Sequence, residues 1–499
     1  MVNKIYFIIF IISLYLATSL SQVYSQEANI YQQSLLDLSK SVLLHLDQQS
    51  NPDTGLVESF RGTSGCYFDD ATQRYYQQNE GLLDQQAFTY DLALAVIMYT
   101  INNQKSKADQ ILQILKNNFY TVKNGYNGLL NSYRVTGFDD WGEGTLLAGI
   151  DGDRIHVGPN MWVALAALQY DQINHTHKYL KFALDIARWA YDLPHFKFPD
   201  GSRGAVSMGS GWGANWSKVY STENVIDNYA VLTILEQIYQ QDPGQYQQLF
   251  KQRKFSLKKI RYEKSCIKKW LLEIVYSRQN QIFHCGYNES GVDSTKALDT
   301  VTWGIAAIGP EELVKWGLDP VKMIKSAEDN FFVQHDINNI AVSGFDFTDE
   351  KGKDPKRSRL IWWEGTGQMV ITYRVMADFC RRNQAPEQAE EYEEKAFRYL
   401  AEMNKMNDLA GMPKGVLPYT SIQPGDREVI NTFFFGWEIP RGKNGQWVTA
   451  LSSTIWRVFG FSGFNPLVKE QRSIGRLRQT APKMRVTMKK ELKNYGRRL

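Results

Sequence analysis

The chain has 499 residues, 43% hydrophobic and 22% charged, which is ordinary globular chemistry with material for a sizeable core. Its four cysteines (Cys66, Cys266, Cys285 and Cys380) are too few and too scattered for a disulfide scaffold or a zinc ribbon. The formal charge of +4 is uneven: residues 469–499 hold eleven Lys or Arg against two Glu, so the tail carries +9 and the rest about −5.

Lys4 precedes an apolar run from Ile5 to Leu16, and small and polar residues follow to Gln26. That order predicts a signal peptide over 1–25, cleaved after Ser21 or Ser25. The run is shorter than the roughly 18–20 apolar residues of a spanning helix. No later run approaches that length, so the expectation is a secreted or periplasmic protein without a transmembrane segment after the signal. Cys266 and Cys285 would either pair in an oxidising compartment or stay free and buried.

Helical spacing then runs from Ile30 to Leu46 and is broken at Asn51-Pro52-Asp53-Thr54-Gly55. Asp84 to Ile101 reads as a strongly apolar helix holding Tyr90 and Asp91, and Ser106 to Tyr120 as an amphipathic one. A long Gly-rich loop, Asn124 to Gly158, carries Asp139, Asp140, Trp141, Glu143, Asp151 and Asp153. Pro159 to Asn174 and Tyr179 to Leu193 repeat the pair of helices. After the Gly- and Trp-rich loop Gly201 to Tyr220, Ser221 or Thr222 caps an apolar helix with Glu223 in its first turn and Asp227 one turn on. A mixed segment leads to Tyr276, and Phe283 to Leu298 reads as a loop. Asp299 to Ile308, Val321 to Phe332, the stretch from Ile361 to Cys380, Glu387 to Met406 and Trp447 to Phe459 complete the helices.

The unit that recurs is a loop, an apolar helix, a turn and an amphipathic helix, with landmarks Asp91, Trp162, Asp227, Asp299, Glu364 and Trp447 about 65 to 85 residues apart. A helix apolar nearly all round belongs inside, and one with a single apolar stripe outside. Alternating the two predicts an all-α fold, an (α/α)6 toroid of six helical hairpins over residues 26–468, followed by the basic tail 469–499. The tail is expected to be a loosely docked extension, with an anionic polymer or membrane surface as a partner it could meet.

In such a toroid the loops leading into inner helices gather at one rim. They carry acids beside aromatics: Asp139, Asp140 and Glu143 near Trp141, Glu223 and Asp227 after Trp212 and Trp216, Asp299 near Trp303, and Glu364 after Trp362 and Trp363. Sugar C–H faces stack on rings, and glycosidic cleavage needs one carboxylic acid and one carboxylate. Plainer roles compete: Glu223 complements a helix dipole, Asp299 is an N-cap, and Asp91 and Asp227 are buried structural acids. Glu364 stands apart because Gly365-Thr366-Gly367 follows it, an unusual approach of backbone. The seven histidines form no metal-binding pair, Asp151-Gly152-Asp153 lacks the other ligands of a calcium loop, and there is no phosphate-binding loop. No metal, cofactor or nucleic acid is therefore expected.

Five stretches, in order, carry a resemblance: Val157-Gly158-Pro159-Asn160-Met161-Trp162, Ser221-Thr222-Glu223 through Asp227, Leu298-Asp299-Thr300-Val301-Thr302-Trp303, Trp362 to Met369, and Gly460-Phe461-Ser462-Gly463-Phe464-Asn465-Pro466. Together they resemble secreted bacterial six-hairpin glycosidase-like proteins, which implies an (α/α)6 toroid and a carbohydrate ligand. The chain departs from that pattern at Asn224 and Val225, where the family has His and Asn, at Gly367, where it has Ala, and at Trp363, where it has Pro.

The first functional expectation is an exported glycoside hydrolase acting on an oligo- or polysaccharide. Glu364 and Glu223 are the expected acid and base, Asp299 and Asp139 the reserve, and Trp162, Trp216, Asp227, Trp303 and Trp363 the binding residues. The second is a polysaccharide lyase using His156, Tyr220 and Arg203, and the third a non-catalytic glycan-binding or assembly protein.

Overall fold

The computed structural model describes residues 31–469, apart from 32, 65–66, 70–73, 77–82, 122–126, 139–145, 151, 153, 212–214, 350–358, 423–432, 435–436, 439–440 and 443–445. The signal segment, the basic tail after Lys469, Cys66 and Asp139 therefore lie outside the described residues. In chain order the helices are α1 (33–49), α2 (Thr89–Ile101), α3 (Lys105–Tyr120), α4 (Val157–Ile173), α5 (Leu180–Asp192), α6 (Thr222–Gln241) and α7 (Pro243–Gln252). Then come α8 (Leu257–Trp270), α9 (Leu298–Trp303), α10 (Pro310–Lys315), α11 (Pro320–Phe331), α12 (Trp363–Arg382), α13 (Pro386–Leu409) and α14 (Leu451–Ser462).

Helices α2, α4, α6, α9, α12 and α14 form a closed inner ring, each packed on the next and α14 returning to α2. Their sequences explain the placement. In α2 every residue but Tyr90 is buried, and in α4 nearly every one is, so no face is left for solvent. The outer helices bury one stripe only: α3 sinks Ala108, Ile111, Leu112 and Leu115 against α2, and α5, α8, α11 and α13 back α4, α6, α9 and α12 in the same way. Helix α1 joins the ends of the ring. Tyr31 ahead of it stacks on Phe461 of α14 at 4.8 Å, and Asp47 near its end meets Tyr99 of α2 and Lys107 of α3. The fold is the all-α (α/α)6 toroid that the alternation of apolar and amphipathic helices predicts.

Two details differ from expectation. The segments read as loops contain antiparallel ribbons, and two ribbons also take residues from expected helix ends: Gln86–Phe88, from the expected helix Asp84–Ile101, pairs with Ser132–Phe138, Arg154–His156 with Gly209–Gly211, Ile282–Asn288 with Gly291–Lys296, and Phe332–Ile337, whose first residue is an expected helix end, with Ile340–Phe345. Short half-exposed strands give weak alternation, but one turn was legible: Asn338 and Asn339 both adopt positive φ, the type I′ hairpin geometry that Asn favours. The segment read as mixed holds α7 and α8. In α8 the stripe Ile260, Glu263, Ile267 and Trp270 is buried, and the acid within it breaks the apolar period. Glu263 is accommodated by His195 at 2.7 Å and Arg203 at 3.1 Å. Cys266 and Cys285 are both buried and form no disulfide with each other.

The ribbons deliver an extended residue to each inner helix start, and threonines tie those starts to the ribbons. Thr222 Oγ1 donates to the carbonyl of His284 at 2.6 Å and Thr300 Oγ1 to that of Phe283 at 2.8 Å. The six N-termini are thereby gathered at one rim.

Candidate active site at the rim of the inner ring

Counting from the first helical residue, the second positions of the six inner helices are Tyr90, Gly158, Glu223, Asp299, Glu364 and Ser452. One turn deeper, at i+4 on the same face, stand Leu94, Trp162, Asp227, Trp303, Gln368 and Trp456. The upper layer holds three carboxylates and the lower one three tryptophans and a fourth carboxyl. A helix N-terminus favours an acid in its first turn. Burial of these acids, however, costs far more than a dipole returns.

Glu364 is 5% exposed and well supplied with donors. The Tyr90 hydroxyl donates to its Oε1 at 2.6 Å, and the Gln368 amide donates to the same oxygen at 3.3 Å. Thr302 Oγ1 donates to Gln368 Oε1 at 2.9 Å and so fixes which end of that amide meets Glu364. The Trp456 indole donates to the Tyr90 oxygen at 2.8 Å, completing the chain. Burial pushes Glu364 up to about 7, while the bonds from Tyr90, Ser452 and Gln368 pull it down.

Glu223 is half-buried, and no described side chain donates to it. Burial raises its pKa well above the usual carboxylate range, and Asp299, Asp227 and Glu364 add to the rise in that order. Asp299 is pushed up to about 7 by burial, opposed by the Thr300 amide. Its Oδ1 has no partner among the described residues. Asp227 is fully buried, and the Trp162 indole is the donor nearest to its otherwise unpartnered oxygens among the described residues. Burial and then Asp299 raise it well above its ordinary value, and the nearby Trp162 indole offsets part of this. Asp91, one residue past the upper layer, rises to about 8 through burial despite a bond with Ser59.

The lower layer is an aromatic cluster. Trp162 lies 5.4 Å from Trp303 and 6.0 Å from Trp456, and the Tyr90 ring meets Trp162 edge-on at 5.0 Å. The three tryptophan rings are buried and form a floor beneath the carboxylates rather than open platforms. Trp363 is 0% exposed, so it presents no face to a ligand in this structure. It is the first residue of α12, rotated about 100° from Glu364. Trp216 lies at the rim against His156, with ring centroids 4.6 Å apart.

Asn224, where the resembling family has His, packs against α4: a Cβ on Gly158 would fall 2.2 Å from its Oδ1 and 3.1 Å from Asp227 Oδ2. The glycines after Glu364 also have a packing cause. A Cβ on Gly367 would sit 2.8 Å from Trp456 Cβ and 3.1 Å from its carbonyl carbon, so Gly367 sets the approach of α12 to α14. Of the residues proposed for a lyase, Arg203 is engaged with Glu263 and stacks on Tyr191 at 4.1 Å, while Tyr220 packs on Phe196 and Tyr287. Neither joins His156. The acids Glu223, Asp227, Asp299 and Glu364 do come together.

Sequence reasoning missed Tyr90 as the partner of Glu364, and also Gln368, Ser452 and Tyr419. The i, i+4 pair Glu364/Gln368 was a readable signal. Tyr419 was not readable: it lies in an irregular segment, and burial together with Glu364, Asp91 and Glu223 raises its phenol well above its usual value, which places it among the acids.

By sequence the chain matches no protein-family model and no curated protein. By structure it is similar to the cellobiose 2-epimerase of Bacillus thermoamylovorans, with a TM-score of 0.52 and 10% identity over 87% of this chain and 99% of that one. An alpha-mannanase of glycoside hydrolase family 76 from Bacteroides thetaiotaomicron is similar at a TM-score of 0.47 and 13% identity, over 86% and 95% of the two chains. The shared fold is the six-hairpin toroid.

Proposed function

We propose that this chain is an exported glycoside hydrolase acting on an oligo- or polysaccharide, with Glu364 and Glu223 as the reacting carboxyl pair. The observation that carries the reading is their placement at equivalent positions of two inner helices, in opposite hydrogen-bonding environments. Glu364 receives bonds from Tyr90 and Gln368, which favour its charged form and suit it to act as base or nucleophile. Glu223 sits among other acids with no described donor, so it is the group that holds a proton and suits the role of general acid. Two carboxyls whose surroundings push their proton affinities apart are what glycosidic cleavage requires. Its half-buried position also leaves Glu223 within reach of a leaving-group oxygen. Asp299 raises the proton affinity of Glu223 and is the reserve candidate; Asp139 remains a sequence-based one.

The fold likeness to a sugar epimerase is compatible with a carbohydrate ligand, and export rests on residues 1–25. The test is release of reducing ends from a panel of glycans by the purified protein, repeated with Glu364→Gln and Glu223→Gln. Full hydrolysis by both variants would overturn the assignment.

A further inference from the structure

One pair of buried groups at the rim has no role in the carboxyl chemistry. His156 is 7% exposed and Trp216 8% exposed, and their rings are in edge contact. His156 immediately precedes α4, and two residues later Gly158 abuts Asn224 and Asp227, so the pair stands beside the Glu223 side of the rim.

The proton inventory of His156 follows from its neighbours. Asn131 Oδ1 accepts the backbone N–H of His156 at 3.0 Å. The other end of that amide, Nδ2, therefore meets His156 Nδ1 at 2.9 Å, and Nδ1 must accept. The proton of the neutral ring then resides on Nε2. Burial, and the Arg154 guanidinium after it, hold the ring neutral by lowering its pKa to about 3. That Nε2–H and the Trp216 indole N–H are both without a hydrogen-bond partner among the described residues. Buried donors are nearly always satisfied, so two orphans carried by rings in contact point to a place where an acceptor binds. Both are donors only in this state. A hydroxyl oxygen can accept from both only if its own hydrogen finds a third partner, whereas an oxygen without hydrogen needs none.

We propose that His156 and Trp216 form a substrate subsite that reads an oxygen substituent bearing no hydrogen, namely a carboxylate, a sulfate or an acetamido carbonyl on a sugar ring. The proposal rests on the glycoside hydrolase reading and names the substrate class for it: substituted rather than plain hydroxylated glycans. The subsite positions the sugar; it does not enter the bond-breaking step.

The experiment measures binding of the wild-type protein to oligosaccharides matched in linkage that carry a uronate, a sulfate, an acetamido group or hydroxyls alone. His156→Asn keeps an acceptor for Asn131 and removes the Nε2–H, while His156→Gln restores a donor near the Nε2 position. Trp216→Phe removes the indole N–H and keeps a ring. The preference of the wild type for substituted over plain glycans should fall about tenfold or more in His156→Asn and Trp216→Phe, as expected for a lost buried hydrogen bond, and recover in part in His156→Gln. Which substituent is preferred identifies the source of the oxygen. If His156→Asn fails to fold, Trp216→Phe alone decides. An unchanged preference in the folded variants overturns the subsite while leaving the hydrolase reading standing. Absence of glycan binding by the wild type overturns both.

Discussion

The two sides of the rim differ in how their acids are hydrogen-bonded, Glu364 on one and Glu223, Asp227 and Asp299 on the other. Where α2, α12 and α14 meet, Tyr90, Glu364, Gln368 and Trp456, with Thr302 of α9, form a continuous chain of hydrogen bonds, and Asp91 Oδ1, Trp363 Nε1 and Ser453 Oγ are left over among the described residues. Where α4, α6 and α9 meet, Asp227, Asn224 Nδ2, Asn228, Asp299 Oδ1, His156 Nε2 and Trp216 Nε1 are buried without partners among the described residues. Both regions come from the same repeated helix start, so the contrast is not a matter of architecture. A closed network fixes a carboxylate in one geometry before any ligand arrives, which is how a site is preorganised. Orphaned groups carry a free-energy cost that a ligand rich in hydroxyls and carbonyls would relieve. On the reading proposed above, the first side holds the reacting carboxylate and the second receives the ligand.

The largest expected effect comes from breaking the carboxyl pair. Glu364→Gln and Glu223→Gln should each lower the rate of reducing-end release by about 10²–10⁴-fold, with little change in melting temperature. An effect confined to one of them would reduce the pair to a single functional acid.

The burial of acids on both sides gives a pH signature. Asp91, Asp299 and Glu364 hold their protons at about 8, 7 and 7 in the folded protein, above the values near 4 of the unfolded chain. Folding therefore takes up protons. The stability these groups permit is fully present below about pH 4 and declines as pH rises through 7–8. Asp91→Asn should flatten that decline, by up to about 1.4 kcal/mol per pH unit between roughly pH 4 and 8, in urea unfolding followed across pH. A slope unchanged by the substitution would show that Asp91 is ionised and compensated.

The close packing of the satisfied side is tested by Gly367→Ala, which installs the residue that the resembling family carries. With Trp456 atoms 2.8–3.2 Å from the new Cβ, α12 and α14 must separate, at a cost of about 1–3 kcal/mol. No loss in thermal unfolding would mean the ring absorbs the shift freely.

Tyr90→Phe sharpens the comparison with the smallest change. It removes one donor from Glu364 and the acceptor of the Trp456 indole, for about 1 kcal/mol of stability. Glu364 loses a bond favouring its charged form, so the limb of the pH–rate profile that reports its ionisation should move to higher pH. A purely structural tyrosine would lower stability without moving that limb.

The sequence by itself determined the ring. Apolar helices alternating with striped ones every 65 to 85 residues left little choice but an inner and an outer layer, because each kind can satisfy its surface in only one place. It also marked the acids of the first turns, since Glu223, Asp299 and Glu364 each follow a loop and open an apolar run. Its landmarks were not in one register: only Asp299 and Glu364 hold the second helical position, where the residues matching the landmarks Asp91, Trp162, Asp227 and Trp447 are Tyr90, Gly158, Glu223 and Ser452. Only closure of the ring decided which acid is held and which is left open. Tyr90 and Glu364 are 274 residues apart, and Trp456 and Tyr90 are 366 apart. Contacts across such separations leave no local period to read. The burial that raises the proton affinities of Asp91, Asp299 and Glu364 is likewise a property of six helices together and of none alone.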